Sequence, residues 1–229
     1  MKKNLFFFFL TFLFAATYSL QAQKTFSGEI QFQTKIEGTD DPNLTSSIDK
    51  MIVTVSILGN KVKTTQSDEN YSVIVIWDGD KETSIFLIEI NGMGKFYKKT
   101  STEQYRDKIK LQDFNFSYEN EFKEICGYKC QKVVATATNL EDDSTQEFIL
   151  YVTKEIGTIK LNGSEFPGLE GFPLATMIPL PEYCDECFQT MEAIKITPKK
   201  IKDVDFLLPD DAKNIDDTPE LREMFGITE

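Results

Sequence analysis

The chain has no histidine in 229 residues. Without an imidazole there is no Ser-His-Asp or Cys-His catalysis and no His-ligated zinc. The side chain that most often moves protons near neutrality is missing too. Carboxylate pairs remain as acid and base, but 37 Asp and Glu in one chain guarantee chance pairings and single out none. No enzymatic activity is expected, and no cofactor. Basic residues are also in deficit: 25 Lys and Arg leave a net charge of −12. That balance repels nucleic acid and anionic membrane surfaces, so neither is expected as a partner.

Long apolar runs are missing everywhere except at the start. Met1-Lys2-Lys3-Asn4 is basic, Leu5 to Ala16 is apolar with six phenylalanines, and Tyr18 to Gln23 closes with the small Ala22. This is the order of a secretory signal peptide, and the run is shorter than the roughly 20 residues a membrane span needs. No cysteine follows it, which excludes a lipoprotein. Residues 1–23 are expected to be removed on export, with no transmembrane segment left afterwards. Residues 24–229 then form a single β-rich domain of charge −14, in the periplasm or associated with the outer membrane.

The dominant hydrophobic period in that domain is two. Phe26, Ile30 and Phe32 alternate with polar residues in 24–34, as do Met51, Val53, Val55 and Ile57 in 50–58. Both read as strands with a buried face. Further strands are expected at 62–66, 71–77, 84–90, 95–100, 114–125, 131–138, 146–153 and 190–197. Tyr71–Trp77 is apolar on nearly every residue, which predicts a strand covered on both sides. Asp78-Gly79 and Asn91-Gly92 predict hairpins with glycine at positive φ. The phase of apolar residues slips between Met191 and Ile196, which predicts a bulge. Ser101 to Gln104 resembles a capping box opening a helix near 102–111, and Thr218-Pro219-Glu220 opens another. Asp210, Asp211, Asp216 and Asp217 mark the approach to that last helix as the most acidic and loosest stretch. The expected fold is mainly β: a curved antiparallel sheet of about nine to eleven strands with one to three short helices, curled into a sandwich, barrel or half-barrel.

Cysteine is scarce but patterned. Cys126 and Cys130 flank a glycine-containing turn, and Cys184 and Cys187 sit at another. In an oxidising compartment these four are disulfide candidates, in any of three pairings. A four-thiolate zinc site of Cys126, Cys130, Cys184 and Cys187 is the alternative metal reading. A redox dithiol at Cys184 and Cys187 is disfavoured by Asp185 and Glu186, which raise a thiol pKa. Asp78, Asp80, Glu82 and Glu89 loosely follow calcium-loop spacing, but the expected glycine is Thr83, so a hairpin turn is the better reading.

Phe166-Pro167-Gly168-Leu169-Glu170-Gly171-Phe172-Pro173-Leu174 forbids a regular helix or central strand, yet is apolar. Such a loop must cover something: the open face of the sheet, or a ligand cavity over which it acts as a lid. Candidate ligand-binding residues are Leu169, Phe172 and Leu174 on the loop, with Trp77, the chain's single tryptophan.

Four stretches together carry a resemblance. "MIVTVSILGNKVKT" at 51–64, "ICGYKCQKVVAT" at 125–136, "FPGLEGFPL" at 166–174 and "DVDFLLPDDAKNI" at 203–215 are similar, in this order, to exported Bacteroidota proteins related to those named for a Gly-Leu-Pro-Gly-Leu-Ile motif. The chain departs from that motif at Glu170 and Phe172-Pro173. The resemblance implies a half-barrel like the outer-membrane lipoprotein carriers, whose hollow face holds acyl chains. The function expected is therefore a cell-envelope binding module for a lipid or other hydrophobic group. The alternative is a non-enzymatic interaction or scaffold protein of the envelope, with a protein partner and no small ligand.

Overall fold

The computed structural model describes residues 26–42, 45, 51–101, 104, 112–140, 143–163, 165–181, 183–184, 186–217 and 219–224. The expected signal peptide and all but one residue of the helix near 102–111 lie outside the described residues. The capping box that would open that helix is present. The Ser101 N–H donates to Gln104 Oε1 at 3.0 Å, and the Gln104 N–H donates to Ser101 Oγ at 3.3 Å.

Alternating apolar and polar residues produce the strands β1 (Ser27–Glu37), β2 (Ile52–Leu58), β3 (Lys61–Ser67), β4 (Tyr71–Asp78), β5 (Thr83–Ile90) and β6 (Gly94–Thr100). They continue as β7 (Gln112–Ile125), β8 (Tyr128–Asn139), β9 (Thr145–Thr153), β10 (Phe172–Pro179), β11 (Phe188–Pro198) and the two-residue β12 (Lys213–Asn214). The helix α1 (Pro219–Met224) follows the last strand. All twelve strands join one curved, mainly antiparallel sheet in the order β12-β6-β5-β4-β3-β2-β1-β11-β10-β9-β8-β7. Only β12 pairs in parallel, along β6.

Three expectations are refined. The sheet has twelve strands because the short β12 joins it and because the apolar loop does not run to Leu174: from Phe172 the chain is β10, which pairs with β9 and β11. Its proline falls at a register shift between Pro173 and Ala175, where a ladder hydrogen bond is already lost. The bulge expected in the last long strand is present, since Gln31 faces Lys195 and Phe32 faces Ala193, leaving Ile194 unpaired. In the β4–β5 turn the left-handed position is Glu82, at φ 49°, and not Gly79. Gly79 serves close approach instead: a Cβ there would stand 2.3 Å from the Lys160 carbonyl oxygen.

The two faces of β4 are both covered, as its sequence requires. On one side Ile74 and Ile76, with Leu87 of β5, pack against Ile201 and Phe206 of the C-terminal segment. That segment is tied across the strands: Lys61 pairs with Asp203 at 2.6 Å, Lys95 with Asp211 at 3.0 Å and Lys98 with Asp216 at 3.2 Å. Of the four acids that suggested a loose approach to the last helix, Asp211 and Asp216 thus meet lysines on β6. On the inner face Ile30, Phe32, Val53, Val55, Val62 and Trp77 form the main core with Leu161, Phe172 and Leu174. A second cluster on the same side joins Val133, Leu150 and Val152 to Phe166 and Leu169 of the apolar loop.

Candidate functional site

A cavity of about 130 Å³ lies on the inner face, where β1–β4, β10 and β11 curve around the segment from Leu161 to Pro173. Its walls are apolar because each strand contributes alternate residues: Phe32 from β1, Val53 and Val55 from β2, Val62 from β3, Val75 and Trp77 from β4, and Met191 from β11. The register explains the grouping, since Val62 stands opposite Trp77 and Thr64 opposite Val75. Thr64, Val75 and Met191 are only half-buried, so the cavity is reached from solvent.

Residues 158–163 close one side. The Trp77 indole N–H donates to the Lys160 carbonyl at 2.7 Å. Outside the cavity, Lys160 Nζ meets Asp80 at 2.8 Å, Asn60 Nδ2 donates to Asp80 at 2.9 Å, and the Thr158 hydroxyl donates to Asn60 Oδ1 at 2.8 Å. Hydrogen bonds from Lys160 and Asn60 hold the Asp80 carboxyl below its ordinary pKa. The β2–β3 and β4–β5 turns are thereby fastened to the closing segment. Asp78, the other acid of the calcium-like spacing, accepts the Asp80 and Lys81 N–H groups and pairs with Lys81 at 3.0 Å, as expected of a hairpin turn.

Asn162 orders the loop beyond. Buried among apolar groups, its amide donates to the carbonyls of Leu169 and Gly171, and its own carbonyl accepts from Glu165 and Phe166. Glu165 then lines the cavity. Its side chain is exposed to solvent, and partial desolvation by the groups packed beside it pushes its pKa up from the usual carboxylate value.

The four expected ligand-binding residues therefore separate. Trp77 and Phe172 line the cavity. Leu169 and Leu174 do not: both are fully buried, Leu169 against β8 and β9 and Leu174 in the main core. Phe166 and Leu169 of the loop are packed over the inner face. Asn162 and Glu165 were not anticipated. The Asn162-Gly163 pair just before an apolar loop is the turn signal that could have found them.

The cysteines separate as well. Cys184 and Cys187 form a disulfide in the β10–β11 connection, where the Leu180 N–H donates to the Cys187 carbonyl at 2.8 Å. Cys126 and Cys130 are free thiols, so the second bridge expected from the sequence is not formed. Cys126, in the β7–β8 turn, donates to the Ala193 carbonyl, and Cys130 is buried. With one pair oxidised the four-thiolate zinc site is not assembled, and among the described residues no three Cys, Asp or Glu gather as metal ligands. Burial raises both free thiols, Cys130 to about 11, with the Glu155 charge adding to the effect.

No protein-family profile matches the chain, and no curated protein does. Among solved structures it is similar to two structures of PNGF-II in different space groups, with TM-scores of 0.51 and 0.52 and 14% identity. The match takes in 83% of this chain but 32% and 31% of the PNGF-II chains. The chain thus spans about a third of the length of those structures, and the likeness is one of fold.

Proposed function

We propose that the protein is an exported envelope protein that binds a lipid or other hydrophobic group in the hollow of its curved sheet. The observation carrying this reading is the solvent-reached cavity walled by Phe32, Val55, Val75, Trp77 and Phe172. Its volume, about 130 Å³, is near that of engineered apolar cavities that take up benzene. It therefore suits one ring or the end of one chain rather than a whole acyl tail. The signal-like start and the resemblance to exported Bacteroidota proteins support the location. No described helix is long and apolar enough to cross a membrane.

A native mass spectrum of the protein recovered from the envelope tests the reading. A surplus mass that organic extraction removes is expected. A bare chain that instead co-purifies with a protein through its sheet would favour the scaffold alternative.

A further inference from the structure

Among the described residues lining the cavity, Glu165 is the single titratable group; Thr64, Asn162 and Thr176 are its neutral polar neighbours. Its carboxyl has no hydrogen-bond or ion-pair partner among the described residues, whereas nearby Lys160 is committed to Asp80. The backbone that presents it is anchored on both sides. The Glu165 N–H donates to the Asn162 carbonyl at 3.0 Å, and Phe166 is buried against β8 and β9.

Glu165 is open to water on one side, so the cost of an anion lining an apolar hollow without a counterion is partial, and the upward pKa agrees with it in direction. A ligand that brings the missing positive charge removes that cost. A ligand bringing a second carboxylate adds like-charge repulsion.

We propose that the hollow selects amphipathic amines, with the apolar part against Phe32, Val55, Trp77 and Phe172 and the ammonium paired with Glu165. This deepens the binding reading above and rests on it. The ammonium donates charge-assisted hydrogen bonds to the carboxylate. Because the pair favours the ionised carboxyl, any proton Glu165 holds in the empty hollow passes to the buffer on binding.

Three probes of equal length separate the possibilities: hexylamine, hexanol and hexanoate. Each is titrated into the protein and into Glu165→Gln while the Trp77 indole N–H resonance is followed, a single signal because the chain has one tryptophan. Hexylamine is expected to bind about two- to fivefold more tightly than hexanol, the worth of one exposed ion pair, and hexanoate most weakly. In Glu165→Gln that preference is lost while hexanol binding is kept. Equal binding of all three, or a preference that survives the substitution, overturns the amine assignment and leaves the binding reading intact. If none binds, the binding reading falls and this inference with it. Calorimetry on the unsubstituted protein at mildly acidic pH, in buffers of different ionisation enthalpy, reads the pairing without a variant. Proton release with hexylamine alone is expected, and its absence contradicts the proposal.

Discussion

The indole N–H of Trp77 donates to the backbone carbonyl of Lys160 at 2.7 Å, and the same ring leaves Gly163 no room for a side chain. A Cβ on Gly163 would stand 2.6 Å from Cζ2 of a buried indole. One tryptophan therefore both walls the hollow and seats the segment that closes it. Gly163→Ala is expected to destabilise the protein by about 1–3 kcal/mol through overpacking. Trp77→Phe, which removes the hydrogen bond to the Lys160 carbonyl and shortens the buried ring, is expected to cost about 1 kcal/mol. Urea unfolding followed by circular dichroism measures both.

Leu169 is expected to behave as core and not as a ligand contact. Fully buried among Val133, Leu150, Val152 and Phe166, it should lose about 2–5 kcal/mol on Leu169→Ala, and Leu169→Asp should prevent folding. A folded Leu169→Asp protein lacking only ligand binding would instead make the loop a lid.

The cysteines predict an intact mass lowered by one pair of hydrogens under non-reducing conditions, because one disulfide is formed and two thiols are free. In the folded protein a thiol reagent should modify exposed Cys126, slowed by its raised pKa, and buried Cys130 only on unfolding. A mass lowered by two pairs would place a second bridge at Cys126 and Cys130.

Cys130 also makes a signed pH prediction. Its thiol titrates near 9.0 when unperturbed and at about 11 in the fold, so the folded state favours the protonated form. The stabilisation is fully present below the unfolded pKa and is lost as pH rises from about 9 to 11, roughly 2–3 kcal/mol over the window. Cys130→Ala should remove this part of the alkaline destabilisation, seen as a shallower fall of the unfolding midpoint.

Glu165 gives the acid-side counterpart. With its pKa raised by partial desolvation, the folded state favours the neutral carboxyl, and stability is lost as pH rises through the carboxylate range. Because the side chain is exposed, Glu165→Gln should raise the thermal midpoint only slightly at neutral pH and leave it little changed in acid.

How far these features are legible in sequence depends on whether local pattern or long-range contact decides them. The period-two run at Val53–Ile57 and the continuous apolar run at Tyr71–Trp77 were readable as strands because burial of one face, or of both, is written into their residues. The bulge at Ile194 was readable from the phase slip in the same way. β10 was not, because Phe172-Pro173 looks like a loop until Thr153 and Val152 stand beside it as partners. Nor could Gly79 be read correctly. An Asp-Gly pair signals a local turn, whereas this glycine is required by Lys160, 81 residues away. The hollow shares that difficulty. Trp77 and Phe172 were candidates on apolar character alone, but only the folded chain brings Asn162 and Glu165 to them.

The central claim is that the hollow takes an apolar group beside Trp77. Its most direct test is a titration of hexanol into the protein and into Val75→Phe, which fills the cavity from β4, with the Trp77 indole N–H as reporter. A saturable shift of that resonance is expected in the protein, abolished in a Val75→Phe variant whose unfolding midpoint is preserved. A resonance that does not move, or moves equally in both proteins, would contradict it.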